Sequence, residues 1–393
     1  MSGMRIGQFI QSIDTTAGGT STAFLNTLAA LRTRPEIIAL AFCSPPVEGD
    51  PAWAQIRANP GTFTCVSGHG RAVWPGALGR AVVRAIESGE LDLLHIHGLW
   101  SPDLLAAGLA CVRRGVPCVW EPHGMLVREA YAQKRWKKEL FMALGMRRAL
   151  AGVASLVFVT ADEREHSIIP SGVGLDRQRV VPLPVAMPPM SITPEMRRAA
   201  RVRFGLPADA PVIVFMGRFH HVKRIDMAMR ALAAAAIPDA RLLLVGGGEE
   251  EPALRALAGS LGIADRVVFA GWVRGDDKWT ALAAGDVLTL NSIHENFGYV
   301  AVEALCVGTE PVLTSNLALV REIGAAGVAT IAAPDERALG AALADALSRR
   351  NWQATLARGG AWVREHLSPE AVGATLEALY RESIGRRTGG GSR

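Results

Sequence analysis

The chain has 393 residues, enough for two domains of ordinary size. Hydrophobic residues make up 49% and charged ones 20%, which excludes a disordered chain. The net charge of +5 is mild and no nucleic-acid-reading module stands in the sequence, so no nucleic-acid partner is expected; a phosphate-rich ligand or an anionic membrane surface suits the bias.

Cys43, Cys65, Cys111, Cys118 and Cys306 form no C-x-x-C pair and read as free thiols, mostly buried, in a reducing cytoplasm. No apolar run reaches about 18 residues without a charge or a break, so no membrane span is expected. Residues 4–10 read as a first strand and not as an export signal. A helical pattern follows at 20–32 and a strand at 36–43. Helices at 76–88, 102–114 and 134–151 alternate with strands at 91–97, 117–121 and 155–160. Alternation at this pitch predicts a parallel sheet with helices on both faces. Five prolines, Pro182, Pro184, Pro188, Pro189 and Pro194, then rule out a regular element and mark a linker.

The second series runs strand 212–217, helix 226–235, strand 240–245, helix 250–261, strand 267–269, helix 278–284, strand 287–291, helix 296–306 and strand 310–314. Helices at 335–347, 351–366 and 369–384 close it. The expected fold class is therefore α/β, with two facing Rossmann-like domains and a ligand cleft between them, beyond the carboxyl ends of the strands. The expected divisions are 1–182, 183–368, a helix at 369–385 packing back on the first domain, and a disordered tail at 386–393.

Two motifs carry chemistry. Glu295 and Glu303 flank the start and the middle of the helix expected at 296–306, nearly on one face. Gly298 in its first turn admits a ligand close to the backbone, and the free N–H groups of Asn296, Phe297, Gly298 and Tyr299 suit phosphate or sugar oxygens. A carboxylate accepts two hydrogen bonds from a vicinal diol, as in ribose or a hexose. Arg218 and Lys223 lie on the loop after the strand at 212–217, where a guanidinium fork and an ammonium can converge on one diphosphate.

This pattern, Gly217-Arg218-x4-Lys223 followed by Glu295-x7-Glu303, resembles the GT4 (group 1) family of retaining glycosyltransferases, which have the GT-B fold. Gly18-Gly19, Val268-Phe-Ala-Gly271, Ser368-Pro-Glu and Tyr380-Arg381 are similar as well, so the resemblance covers nearly the whole chain. It implies that Arg218 and Lys223 hold the donor diphosphate, with help from the amides of Asn296, Phe297, Gly298 and Tyr299. Glu303 would bind the ribose and Glu295 the transferred sugar. Gly246, in Val245-Gly246-Gly247-Gly248, and Gly271 would lie near the nucleoside. Gly18 and Gly19 would let a loop approach phosphate or acceptor. The family's active-site histidine matches His123 in Glu121-Pro-His123-Gly124. Pro182-Leu-Pro184, Arg224 after Lys223, and Glu310 before Pro311 depart from the usual pattern.

What the resemblance implies is transfer of a hexose from UDP or GDP to a glycan or lipid-linked acceptor, in exopolysaccharide or lipopolysaccharide synthesis. No cofactor or essential metal is expected. There is no Asp-x-Asp, and His95 and His97, alternating on one strand, lack an adjacent acid or cysteine in sequence to complete a ligand set. A nucleotide-sugar epimerase and a nicotinamide-dependent oxidoreductase are the alternatives; a missing third glycine after Gly246 and Gly248 counts against the latter. The stretch from Lys134 to Arg148, basic with apolar Leu140, Phe141 and Leu144, reads either as a solvated helix face or as peripheral contact with the inner face of an anionic membrane.

Overall fold

The computed structural model describes residues 3–14, 19–67, 74–234, 237 and 239–389. The chain divides into two compact units, Met1–Pro184 with Leu367–Arg393, and Val185–His366.

The first unit is built on a parallel sheet of β1 (Met4–Ser12), β2 (Ile37–Ser44), β3 (Phe63–Cys65), β4 (Leu93–His97), β5 (Cys118–Glu121), β6 (Ser155–Phe158) and β7 (Gln178–Val180). Its order is β3-β2-β1-β4-β5-β6-β7. Ile6, Leu93, Val119 and Val157 are fully buried because both faces of a parallel sheet lie under helices. One cover is the helix Pro369–Gly389, whose Val372, Leu376, Leu379 and Tyr380 pack on those strand residues. A second is Pro102–Arg114, where the Ser101 side chain accepts from the Asp103 amide at one end and Gly115 takes a left-handed conformation at the other.

The second unit carries a parallel sheet of β8 (Val212–Met216), β9 (Arg241–Val245), β10 (Val267–Gly271), β11 (Val287–Leu290), β12 (Glu310–Thr314) and β13 (Thr330–Ala332). Its order is β10-β9-β8-β11-β12-β13. Ile213, Phe215, Leu242, Leu244 and Val312 form its core with the helices Ile225–Ala234 and Glu336–Arg349. Strand order reverses between β1 and β4 in one sheet and between β8 and β11 in the other. At such a switch point the loops leaving the two strands diverge to opposite faces and open a crevice at their carboxyl ends.

The structure departs from the sequence pattern where elements are short. Strands β3, β7 and β13 have three residues each, too few to show a period, and went unpredicted with the helix Ala52–Ala58. The helix expected at 134–151 is broken: Arg135–Phe141 and Arg147–Ala151 flank a wider turn, Met142–Met146, containing Gly145 at φ 134°. Residues 386–389, expected in a tail, continue the last helix, and 390–393 lie outside the described residues. All five cysteines are free, and all but the half-buried Cys65 are buried.

The turn after β9 is glycine by necessity. Gly246 has φ 133°, and a Cβ there would lie 1.9 Å from the carbonyl oxygen of Gly217. This close packing joins the turn to the loop after β8, through Gly217 N–H to Val245 and Phe219 N–H to Gly247, each at 2.9 Å. Gly246→Ala is expected to destabilise the protein by about 2 kcal/mol or more. A denaturation midpoint unchanged in that variant would contradict the packing described.

Candidate functional site

In the second unit the loops leaving β8 and β11 meet beside the switch point. The β8 loop runs from Gly217 through Arg218 and Phe219 into a short turn at His221–Lys223. It is held from both sides. Phe219 is fully buried and anchors it on the glycine turn, while the Val222 carbonyl accepts from Ile293 N–H at 2.7 Å. The side-chain amide of Asn291, at the end of β11, donates to the carbonyls of Lys223 and Arg224. Arg224 takes φ 50°, reversing the chain into the next helix. The consequence is a fixed position for Lys223, whose Nζ lies 2.5 Å from Glu295 Oε2 on the opposite loop. Both side chains stay about a quarter exposed, at 26% and 22%, so a ligand can reach them. Arg218, on the same loop, is exposed.

The helix expected at 296–306 begins later, at Tyr299–Leu305. Gly298 caps it in the left-handed region at φ 72°, which a β-carbon would oppose both by conformation and by contact with Leu290 at 3.0 Å. Asn296, Phe297 and Gly298 therefore form the loop before the helix and not its first turn. Phe297 is buried, with its ring 5.1 Å from that of Tyr299. The loop is tied down at Glu295, whose carbonyl accepts from Ala318 N–H, and at Ser292 and Ile293, whose carbonyls accept from the Asn316 side chain. Glu303 is 7% exposed, and its carboxylate meets Lys278 Nζ at 2.6 Å. A buried carboxylate needs such a partner. Lys278 had no motif to reveal it, since its only signal is contact with Glu303 across 25 residues of sequence.

Gly246 and Gly271 adjoin these loops: Gly246 N–H donates to the Gly271 carbonyl at 2.8 Å. Gly271 itself has φ 70° at the end of β10. In the first unit Gly18 lies outside the described residues. Gly19 opens the helix Gly19–Arg32, and among the described residues nothing lies within 4 Å of where a Cβ would sit.

His123 belongs to a buried polar cluster of the first unit. His95 and His97 are fully buried neighbours on β4, and Glu121 ends β5 beside them. Two residues on, His123 adopts φ 52° and Gly124 φ 77°, a sharp reversal held by Glu163, whose carboxylate accepts from the amides of Gly124 at 2.5 Å and Val159 at 2.8 Å. A left-handed non-glycine residue stores strain, and such strain gathers at functional sites. The reversal directs His123 Nε2 to within 3.1 Å of His97 Nδ1, and its Nδ1 to within 3.3 Å of Glu121 Oε1. Burial pulls His123 below the ordinary imidazole value, and Glu121 pulls it part of the way back. His97 is held well below that value by burial and by the neighbouring His95 and His123. Burial opposes the ionisation of Glu121, but His123 and His95 outweigh it and keep the carboxyl below its usual range.

The acid that His95 and His97 lack in sequence is thus supplied by the fold. His95, His97 and Glu121 bring one ligand atom each within 4.8 Å of one another, correcting the expectation that no acid completes their set. A more exposed group, His220, His221 and Glu249, does the same. Sequence reasoning also missed Gln8 and the side-chain role of Tyr380, which join the buried cluster.

Comparisons with known proteins give the family. Residues 196–361 match the family described as glycosyl transferases group 1, and residues 18–184 match a glycosyl transferase 4-like domain. The D-inositol 3-phosphate glycosyltransferase of Stackebrandtia nassauensis is 31% identical over 76% of this chain and 71% of its own length. The 2-deoxystreptamine glucosyltransferase of Streptomyces kanamyceticus is 30% identical over 67% of this chain and 70% of its own. Among solved structures, Anabaena HepE in complex with UDP-glucose superposes with a TM-score of 0.76 at 18% identity, covering 96% of this chain and 99% of that one. Among the described residues no helix is long and apolar enough to cross a membrane. With two doubly wound parallel sheets and both halves matched, the chain belongs to the group 1 (GT4) glycosyltransferases of the GT-B fold, enzymes that use a nucleotide sugar as substrate.

Proposed function

We propose that this enzyme transfers a hexose, with retention, from a UDP or GDP sugar to a glycan or lipid-linked acceptor, in exopolysaccharide or lipopolysaccharide synthesis. The observation that carries the donor assignment is the contact of Lys223 with Glu295 at 2.5 Å across the β8 and β11 loops, with Arg218 on the same loop as Lys223. A nucleoside diphosphate presents two charges to this crevice. Lys223 would move from carboxylate to phosphate, and Arg218 would add a bidentate contact. Glu295, relieved of its partner, would accept hydrogen bonds from hydroxyls of the transferred sugar. Glu303 would accept from the ribose diol. The amides of Asn296, Phe297, Gly298 and Tyr299 would supply further donors, and Gly246 and Gly271 would lie near the nucleoside. His123 is assigned to the transferred sugar. The UDP-glucose complex of a structural relative supports a nucleotide donor. The named acceptors of the two sequence relatives differ from each other, so the proposed acceptor rests on the resemblance seen in the sequence and not on those names.

In the reaction the bond from the anomeric carbon to the phosphate oxygen breaks as the acceptor oxygen bonds to the same face of that carbon. The acceptor proton passes to the leaving phosphate, so no separate base is required. Negative charge grows on the diphosphate, and fixed cations that meet it there lower the barrier. A charge-assisted hydrogen bond contributes about 1.5–3 kcal/mol. Arg218→Ala and Lys223→Ala should therefore each slow transfer by roughly tenfold to a hundredfold or more. Unchanged rates in both would end the diphosphate assignment. Glu303→Ala should weaken nucleotide binding by roughly tenfold or more while the melting temperature moves little, because Lys278 is 30% exposed and regains water.

The surface from Lys134 to Arg148 supports an anionic membrane as a partner. Trp136, Leu140 and Leu144 recur every fourth residue and are 68%, 54% and 65% exposed. Lys134, Arg135, Lys137, Arg147 and Arg148 are exposed around them, while Lys138 turns inward to the Ala130 carbonyl. Exposed apolar side chains with exposed cations along the same stretch, two of them (Arg135 and Arg147) paired with Glu139, suit insertion at a charged headgroup layer. The protein should sediment with vesicles containing phosphatidylglycerol and not with pure phosphatidylcholine. A Trp136→Ser, Leu140→Ser, Leu144→Ser triple variant should lose that binding, and equal binding by the triple variant would remove this surface from the account.

A further inference from the structure

The cluster around His123 closes on itself. His123 Nε2 meets His97 Nδ1 at 3.1 Å, and His97 Nε2 meets Gln8 Oε1 at 2.9 Å. Gln8 Nε2 donates to the Tyr380 hydroxyl at 3.0 Å, and that hydroxyl meets His95 Nδ1 at 2.8 Å. The circuit returns through Glu121, with Oε2 at 3.4 Å from His95 Nε2 and Oε1 at 3.3 Å from His123 Nδ1. Glu121 Oε2 also lies 3.6 Å from His97 Nδ1. The edge of Phe24 lies against His97. All six side chains are buried.

Six contacts need six hydrogens. Three neutral imidazoles supply one each, the Gln8 amide one and the Tyr380 phenol one, while an ionised Glu121 supplies none. The circuit is one hydrogen short. Turning the Gln8 amide over reverses the direction of donation but leaves the count unchanged. The shortfall has a visible place: among the described residues His95 Nε2 and Glu121 Oε1 are buried atoms without a hydrogen-bond partner, and both lie in the two long contacts to Glu121. A buried carboxylate with three neutral imidazoles also leaves one unbalanced charge away from water. One further proton supplies the missing hydrogen and cancels that charge.

We propose that Gln8, His95, His97, Glu121, His123 and Tyr380 form a single proton-sharing ring that takes up one proton as a unit, and that Glu121 and Tyr380 thereby set the protonation state His123 presents to the transferred sugar. The proton is shared among the imidazoles and Glu121, and its apparent affinity belongs to the ring. Glu121, His97, His95, Gln8 and Tyr380 are positioning residues that act through His123. The consequence for catalysis rests on the assignment of His123 to the sugar; the ring itself does not.

The test is a titration of the 15N-histidine-labelled full-length protein, from about pH 4 to 8, followed through the imidazole resonances. His95, His97 and His123 should shift together at one midpoint, with uptake of one proton in total. In Glu121→Gln the new amide donates the missing hydrogen, so the ring closes without a proton and the shared step should vanish. Tyr380→Phe removes a donor from the far side of the ring and should displace the midpoint by about one pH unit, a tenfold change in proton affinity. Separate midpoints for the three histidines, or a midpoint unmoved by both substitutions, would overturn the proposal. So would one equivalent of zinc on the purified protein, lost in His95→Ala. Because this titration needs no transfer activity, a ring that behaves as described in a protein whose His123→Ala variant still transfers normally would refute the sugar assignment and leave the ring standing.

Discussion

The account depends on a reversal of strand order. Because β8 is followed in the sheet by β9 on one side and β11 on the other, the loops leaving β8 and β11 part at their carboxyl ends and face each other across a crevice. Everything near that crevice serves to fix two short segments. Glycines at 246 and 248 accept the β8 loop so closely that a Cβ at either would lie within 2.3 Å of a carbonyl oxygen. Asn291 holds the loop from the other side. A lysine and a glutamate 72 positions apart in sequence then come into contact. The pair is exposed enough to be exchanged for a ligand and constrained enough to present its charges at one place, which is what electrostatic preorganisation requires.

Much of this was legible in the residues. Alternation of apolar runs with helical patterns predicts a parallel sheet because strands buried on both faces carry no polar side, and the longer strands sit where the pattern puts them, as do most of the helices, the broken one at 134–151 excepted. The three-residue edge strands carried no such signal. The helix before Cys306 was expected about one turn too early, since the apolar run starts at Phe297 while the left-handed Gly298 delays regular hydrogen bonding until Tyr299. The spacing of Arg218, Lys223, Glu295 and Glu303 announced a charged site. The partners of those charges were not announced. Lys278 reaches Glu303 only through the packing of neighbouring helices, and no local pattern encodes that contact.

The first unit shows the same limit more sharply. His95 and His97 looked like an incomplete ligand pair, because their acid lies on the next strand and their further partners lie on β1 and on the last helix. Tyr380 sits 285 positions from His95, yet its hydroxyl is 2.8 Å from that ring. The last helix is therefore more than a cover for the sheet. Its apolar face buries Val372, Leu376 and Leu379 in the core, and its Tyr380 hydroxyl reaches Gln8 and His95. Buried polar networks of this kind persist only when nearly every group finds a partner.

The central claim is that a nucleoside diphosphate binds at the β8–β11 crevice through Lys223. Calorimetric titration of UDP, GDP and ADP into the wild-type protein and into Lys223→Ala, without divalent metal, addresses it most directly. The account predicts that the wild type binds at least one of the three and that the substitution weakens that binding by roughly tenfold or more. Equal affinity in the two proteins, or binding that appears only when a divalent cation is added, would contradict it.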